Sequence, residues 1–162
     1  MFKPNDASMK KFGPIIIVED DLDDQELLTA AFKAIDYTRE LKFFVDGYEA
    51  LKFIEGSDTA PFLILSDVNM PRINGFELRE KVHHSKLLNV RIIPFLFFTT
   101  GAQKEAVETA YSDSAQGFFI KPSSMKELQV IIRKILDYWE QCYSPAEHSR
   151  ESIAYSGRLN GG

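Results

Sequence analysis

Five short apolar runs alternate along this chain with segments of helical period. The first, Ile15-Ile16-Ile17-Val18, lies within PIIIVEDD at 14–21, and its β-branched residues run straight into acids. An unbroken run of this kind reads as a strand buried on both faces, as in a parallel sheet. The others lie in ELKFFVD at 40–46, FLILSD at 62–67, RIIPFLFFTT at 91–100 and QGFFIK at 116–121. Pro94 has no N–H for a ladder, so it belongs near the start of its strand.

Five helical segments follow the strands. DDQELLTAAFKAI at 23–35 sets Leu28, Ala31, Phe32 and Ile35 on one face, with its acids at the end the helix dipole favours. GYEALKFIEG at 47–56 is bounded by glycines, GFELREKVHHS at 75–85 places Leu78 and Val82 one turn apart, and QKEAVETAYSD occupies 103–113. The longest, SSMKELQVIIRKILDYWEQCY at 123–143, carries a stripe of Leu128, Ile131, Ile132, Ile135, Leu136 and Trp139, with Ser123 or Ser124 as cap. Strands and helices in alternation predict an α/β fold, a doubly wound five-stranded parallel sheet with helices on both faces. Residues 13–143 would form this one domain. A flexible polar leader at 1–12 (with Met9 as an alternative start) and a disordered tail at 144–162, which holds His148, would flank it.

Bulk properties remove several classes of function. The net charge of −5, without a basic stripe, leaves no footprint for nucleic acid. A single cysteine, Cys142, excludes an internal disulfide framework and a cysteine-based zinc site. No apolar run reaches the roughly 20 residues of a membrane span, and the leader lacks the apolar core of a signal peptide. The cytoplasm is therefore the expected compartment.

In open parallel sheets ligands bind beyond the carboxyl ends of the strands. Here those ends carry Glu19, Asp20 and Asp21 on the first strand, Asp67 on the third, Thr99 and Thr100 on the fourth, and Lys121 on the fifth. Clustered carboxylates resist ionising together, and a divalent cation with oxygen ligands such as Mg²⁺ relieves the repulsion. A carboxylate beside such a cation can attack phosphorus, while an ammonium and a hydroxyl steady the transferred group.

The pieces IIIVEDD, LILSDVNMPRINGFEL, FLFFTTG and GFFIKP, in this order and spacing, resemble the receiver domain of two-component response regulators, particularly the single-domain chemotaxis type. The likeness covers residues 14–143. It implies a flavodoxin-like strand order of 2-1-3-4-5. Asp67 would accept the phosphoryl group. Asp20 would bind Mg²⁺ or Mn²⁺ directly, Glu19 through water, and Asn69 through its backbone carbonyl. Thr99 would be the switch hydroxyl, Phe118 the aromatic switch, and Lys121 the partner of the phosphoryl group and of Asp67. Lys121-Pro122 would be a cis peptide. Asn69, Thr100 and Gly101 would border the path of attacking water and tune hydrolysis. Glu19 stands where the family more often has Asp, and Phe118 lacks the hydroxyl of a tyrosine. The expected partners are a sensor histidine kinase and a downstream protein on the face of the fourth helix, fifth strand and fifth helix, which could also pair two copies of the chain.

Blander readings compete. Asp67 could cap the turn before the third helix, and Asp21, Asp23 and Asp24 read as first-turn acids. DDLDDQELL lacks the sixth-position Gly and twelfth-position Glu of a calcium loop counted from Asp21. His83 and His84 read as solvated. A haloacid-dehalogenase-like phosphatase would want an acid at position 69, where Asn69 stands, and a flavin binder would not place EDDLDD at its phosphate loop. A phosphorelay intermediate that passes the group to another histidine shares every feature of the receiver reading.

Overall fold

In the computed structural model the described residues are 13–101 and 103–142. The leader at 1–12, the tail at 144–162 with His148, and residue 143 of the expected domain lie outside them. Five strands, β1 Ile15–Val18, β2 Leu41–Phe44, β3 Leu63–Ser66, β4 Phe95–Thr99 and β5 Gly117–Ile120, form one sheet in the order β2-β1-β3-β4-β5. Every pairing is parallel, with Ile17 opposite both Phe43 and Leu65. The expected fold and strand order are therefore present. Among the described residues five helices of nine or more residues surround the sheet: α1 Leu22–Ala34, α2 Gly47–Gly56, α3 Gly75–His83, α4 Lys104–Ser112 and α5 Met125–Gln141.

The two-residue period of a strand divides the core. Ile16, Val18, Ile64, Phe95 and Phe97 face one way, into a cluster with Ala50 and Ile54 of α2, Leu78 and Val82 of α3, and Ala110 of α4. Ile15, Ile17, Leu63, Leu65, Leu96 and Phe98 face the other way, onto Leu28, Ala31 and Phe32 of α1 and Leu128, Ile132, Ile135 and Leu136 of α5. β1, β3 and β4 are buried throughout, as an unbroken apolar run requires.

Polar residues start the helices. Asp21 accepts the Asp23 and Asp24 amides, Asp46 accepts that of Glu49, and Ser124 rather than Ser123 accepts that of Glu127. Asn74 and Glu77 close a reciprocal capping box at α3.

Two local expectations are corrected. The fourth strand begins at Phe95 and not at Arg91, because Leu88–Arg91 forms a single helical turn in which the Arg91 amide bonds the Leu87 carbonyl at 3.2 Å. Pro94, unable to join the ladder through nitrogen, marks the change from turn to strand. The Lys121–Pro122 peptide is trans, since no peptide bond among the described residues is cis. The Lys121 amide still pairs with the Thr99 carbonyl at 2.7 Å, so strand pairing runs up to the proline, and an X–Pro bond favours trans by about 0.5–1 kcal/mol by itself.

Candidate functional site

The acids gather where β1 and β3 lie side by side. β1 delivers Glu19 and Asp20 to the carboxyl rim and β3 delivers Asp67, whose amide bonds the Val18 carbonyl at 2.9 Å and ties the two strand ends together. One carboxylate oxygen each from Glu19, Asp20 and Asp67 lies within 4.8 Å of the others. Asp20 is exposed, Asp67 half-buried, and Glu19 only 1 % exposed.

Asp67 is held from several sides. Its Oδ1 accepts the Val68 amide at 2.6 Å, and its carbonyl accepts the Ser66 hydroxyl at 2.8 Å. The loop behind it closes through the Gly75 amide on the Val68 carbonyl at 2.8 Å. A Cβ at Gly75 would meet the Asp67 carbonyl oxygen at 2.1 Å, so only glycine lets α3 start this close. Asp67 therefore caps no helix; Asn74 does that work.

Lys121 reaches back from β5 as a buried cation. Its Nζ bonds Glu19 Oε2, lies 3.1 Å from Asp24 Oδ2, and stands 3.7 Å from Asp67 Oδ2. Burial pushes the Glu19 pKa from 4.5 up to about 7, against the pull of Lys121 and of the Asp21 amide. Burial also works against the Lys121 ammonium, but the bond and charge of Glu19, then Asp67 and Asp24, outweigh it and raise its pKa.

Thr99 is buried at the end of β4, in register with Ile120, the residue before Lys121. Phe118 is half-buried on the face of β5 that carries the first core cluster, with its ring 5.8 Å from that of Phe97. Asn69, Thr100 and Gly101 are exposed on the loops that follow β3 and β4. The structure thus brings Glu19, Asp20, Asp67 and Lys121 together and sets Thr99 on the strand between Asp67 and Lys121.

Asp24 completes the group and was missed by a reading that saw in it only a first-turn acid. No local spacing separates it from Asp23, because both lie in the first turn after the N-cap Asp21. The opposite side of the rim also carries a clamp that the motifs do not announce. Arg72, with a left-handed φ of 65°, bonds the buried Asp46 at 3.2 Å and stacks on Tyr48 at 4.5 Å, tying the β3–α3 loop to α2.

The donor set suits a hard divalent cation. Three carboxylates supply oxygen alone, with no nitrogen or sulfur among the clustered donors, and the exposed Asp20 leaves one side open to water. No helix among the described residues is long and apolar enough to cross a membrane.

Residues 15–133 match the sequence profile described as the response regulator receiver domain. The chain is 29% identical over 129 residues to the probable methanogenesis regulatory protein FilR2 of Methanothrix harundinacea (strain 6Ac), covering 77% of this chain and 82% of that protein. It resembles the manganese-bound form of the response regulator Rcp1 with a TM-score of 0.71 and 26% identity, over 82% of this chain and 99% of that one. The phosphorylated cyanobacterial phytochrome response regulator RcpA shares the fold, with a TM-score of 0.74 at 22% identity over 83% of this chain and 99% of that one.

Proposed function

The chain belongs to the response regulator receiver family, and on that premise we propose that Asp67 accepts a phosphoryl group from a sensor histidine kinase and that the aspartyl phosphate switches the binding of a downstream protein. The observation that carries this reading is the meeting of Glu19, Asp20 and Asp67 within 4.8 Å, with Lys121 Nζ 3.7 Å from Asp67.

The Val68 amide holds Asp67 Oδ1, which leaves Oδ2, on the Lys121 side, as the nucleophile. Its lone pair forms the new bond to phosphorus as the bond from phosphorus to the donor's imidazole nitrogen breaks, and that electron pair stays on the nitrogen. Lys121 stands ready to take charge from the phosphoryl oxygens, as does the Thr99 hydroxyl once it turns inward. Glu19, Asp20 and Asp67, with the Asn69 carbonyl, would hold Mg²⁺ (or Mn²⁺). Bound there, the cation would neutralise the charge that builds on the equatorial oxygens. Asn69, Thr100 and Gly101 border the route of the water that later attacks phosphorus, returning Asp67 to a carboxylate and releasing phosphate.

The inward movement of Thr99 and the repacking of Phe118 would alter the α4-β5-α5 face. Each of its three elements carries an exposed large apolar side chain, Tyr111 on α4, Ile120 on β5 and Val130 on α5, as a protein-binding surface would. A second copy of the chain is one occupant such a face could take.

The test is labelling by a small phosphodonor with Mg²⁺. Wild type should label and Asp67→Asn should not. Equal labelling of the variant overturns the reading.

A further inference from the structure

We propose that Asp24 is a positioning residue, which holds Lys121 in a resting place against the first turn of α1 and which an arriving phosphoryl group must displace. This rests on the reading of Asp67 as phosphoacceptor. An ammonium has three N–H groups, and three carboxylates surround it here, of which two are within bonding reach. Glu19 takes one, Asp24 at 3.1 Å takes another, and Asp67 at 3.7 Å lies beyond hydrogen-bond length. In this state Lys121 is closer to α1 than to the nucleophile it is to serve.

Asp24 is fixed in that role by its backbone. Asp21 Oδ1 accepts the amides of Asp23 at 2.9 Å and Asp24 at 3.3 Å, which sets the direction of the first turn. The turn is also pinned to the end of β1. Gln25 Nε2 donates to the Glu19 carbonyl at 2.6 Å, and the Asp21 amide donates to Glu19 Oε1 at 3.0 Å. The backbone of Asp24 therefore stays with α1 when Lys121 moves toward Asp67, and that movement draws Nζ away from it.

Of the two bonds in place, the one to Asp24 is the cheaper to give up. The Asp24 side chain is 27% exposed against 2% for Glu19, so water can replace Lys121 there and cannot at Glu19. A phosphoryl group on Oδ2 carries more charge than the carboxylate it replaces and brings its oxygens to the Lys121 side. It outbids Asp24, and the first turn of α1 loses its tether to β5 when the site fills.

The test measures the affinity for beryllofluoride, a phosphoryl mimic, by calorimetry at saturating Mg²⁺, with the Mg²⁺ affinity measured separately. Asp24→Ala should bind the mimic roughly three- to fivefold more tightly, the scale of one partly exposed ion pair. Asp23→Ala removes the same charge from the same turn without touching Lys121 and should stay within about twofold of wild type by the same scale. Asp24→Glu should restore the wild-type affinity, and Asp24→Asn serves if the alanine variant folds poorly. An Asp24→Ala affinity equal to or weaker than wild type, or an equal shift in Asp23→Ala, overturns the proposal while the phosphoacceptor reading stands. If the wild type itself fails to bind the mimic, that reading fails and takes this one with it.

Discussion

Lys121 and Arg79 are both buried cations, one at the carboxyl rim of the sheet and the other beneath the carboxyl end of α4. Arg79 reaches from α3 and is 1% exposed. Its Nε donates to the Asp113 carbonyl at 2.9 Å and its Nη2 to the Ser114 carbonyl at 2.7 Å, so its fork serves oxygens where α4 ends. It also brings positive charge to the negative end of that helix's dipole. Burial pulls the guanidinium's pKa below its usual value, and the Asp113 charge opposes that. Beside the His83 ring nitrogen at 3.3 Å, the oxygens that Arg79 serves are backbone carbonyls, and they cannot leave without unwinding the end of α4. The acceptors of Lys121 are side chains, Glu19 and Asp24, and on the role proposed for Asp24 this partly exposed carboxylate is the one that a phosphoryl oxygen would replace. A planar fork suits the first task and a compact charge on a flexible stem suits the second. The same physical resource, a buried positive charge, is spent in one place on permanence and in the other on choice.

Three measurements can break this contrast. The largest effect is expected at Arg79. Arg79→Ala should cost about 3–4 kcal/mol in urea unfolding, through lost packing and orphaned carbonyls, and Arg79→Lys should cost nearly as much because an ammonium lacks the planar fork that brings Nε and Nη2 to the two oxygens separately. Near-wild-type stability for Arg79→Lys would refute the argument from the fork. Next comes pH. The folded-state pKa of Glu19 lies near 7, above its ordinary 4.5, so the folded chain holds this proton more tightly than the unfolded one. That contribution is fully present below pH 4.5 and is lost as pH rises through 7, so chelator-treated protein should lose on the order of 3 kcal/mol across this window at Glu19. Glu19→Gln should flatten the slope, and an unchanged slope in that variant would show that another group causes it. The smallest effect on stability is expected at Lys121. Glu19 can take up a proton when its partner is gone, so Lys121→Ala should cost only about 1 kcal/mol at neutral pH. That variant should still label at Asp67 but no longer change partner binding on labelling; normal switching would contradict the role given to Lys121.

The two cations also differ in how legible they are. Lys121 ends an apolar run and precedes a proline, which draws attention to it. Arg79 lies in GFELREKVHHS among other charges, and no local pattern separates a buried arginine from a solvated one; the carbonyls it serves are 34 and 35 residues away in sequence. The sheet itself was readable because strands buried on both faces leave unbroken apolar runs. Asp67, Glu19 and Asp20 were readable because acids at the ends of such runs have no reason to be there as packing. Asp24 was hidden by an adequate local explanation, its fit to the helix dipole. The turn at Leu88–Arg91 was hidden because RIIPFLFF is apolar on both sides of Pro94, and periodicity over so few residues cannot tell a turn from a strand.

Gly75 shows how closely folding and chemistry are joined here. A single methyl group at that position would press on the carbonyl oxygen of Asp67, the proposed phosphoacceptor, and on the ring of Phe97 at 3.0 Å. No side chain can be added at position 75 unless the Asp67 carbonyl or the start of α3 moves. On the proposed role of Asp67, a mutation there would act on phosphorylation through one displaced atom, even in a molecule that still folded.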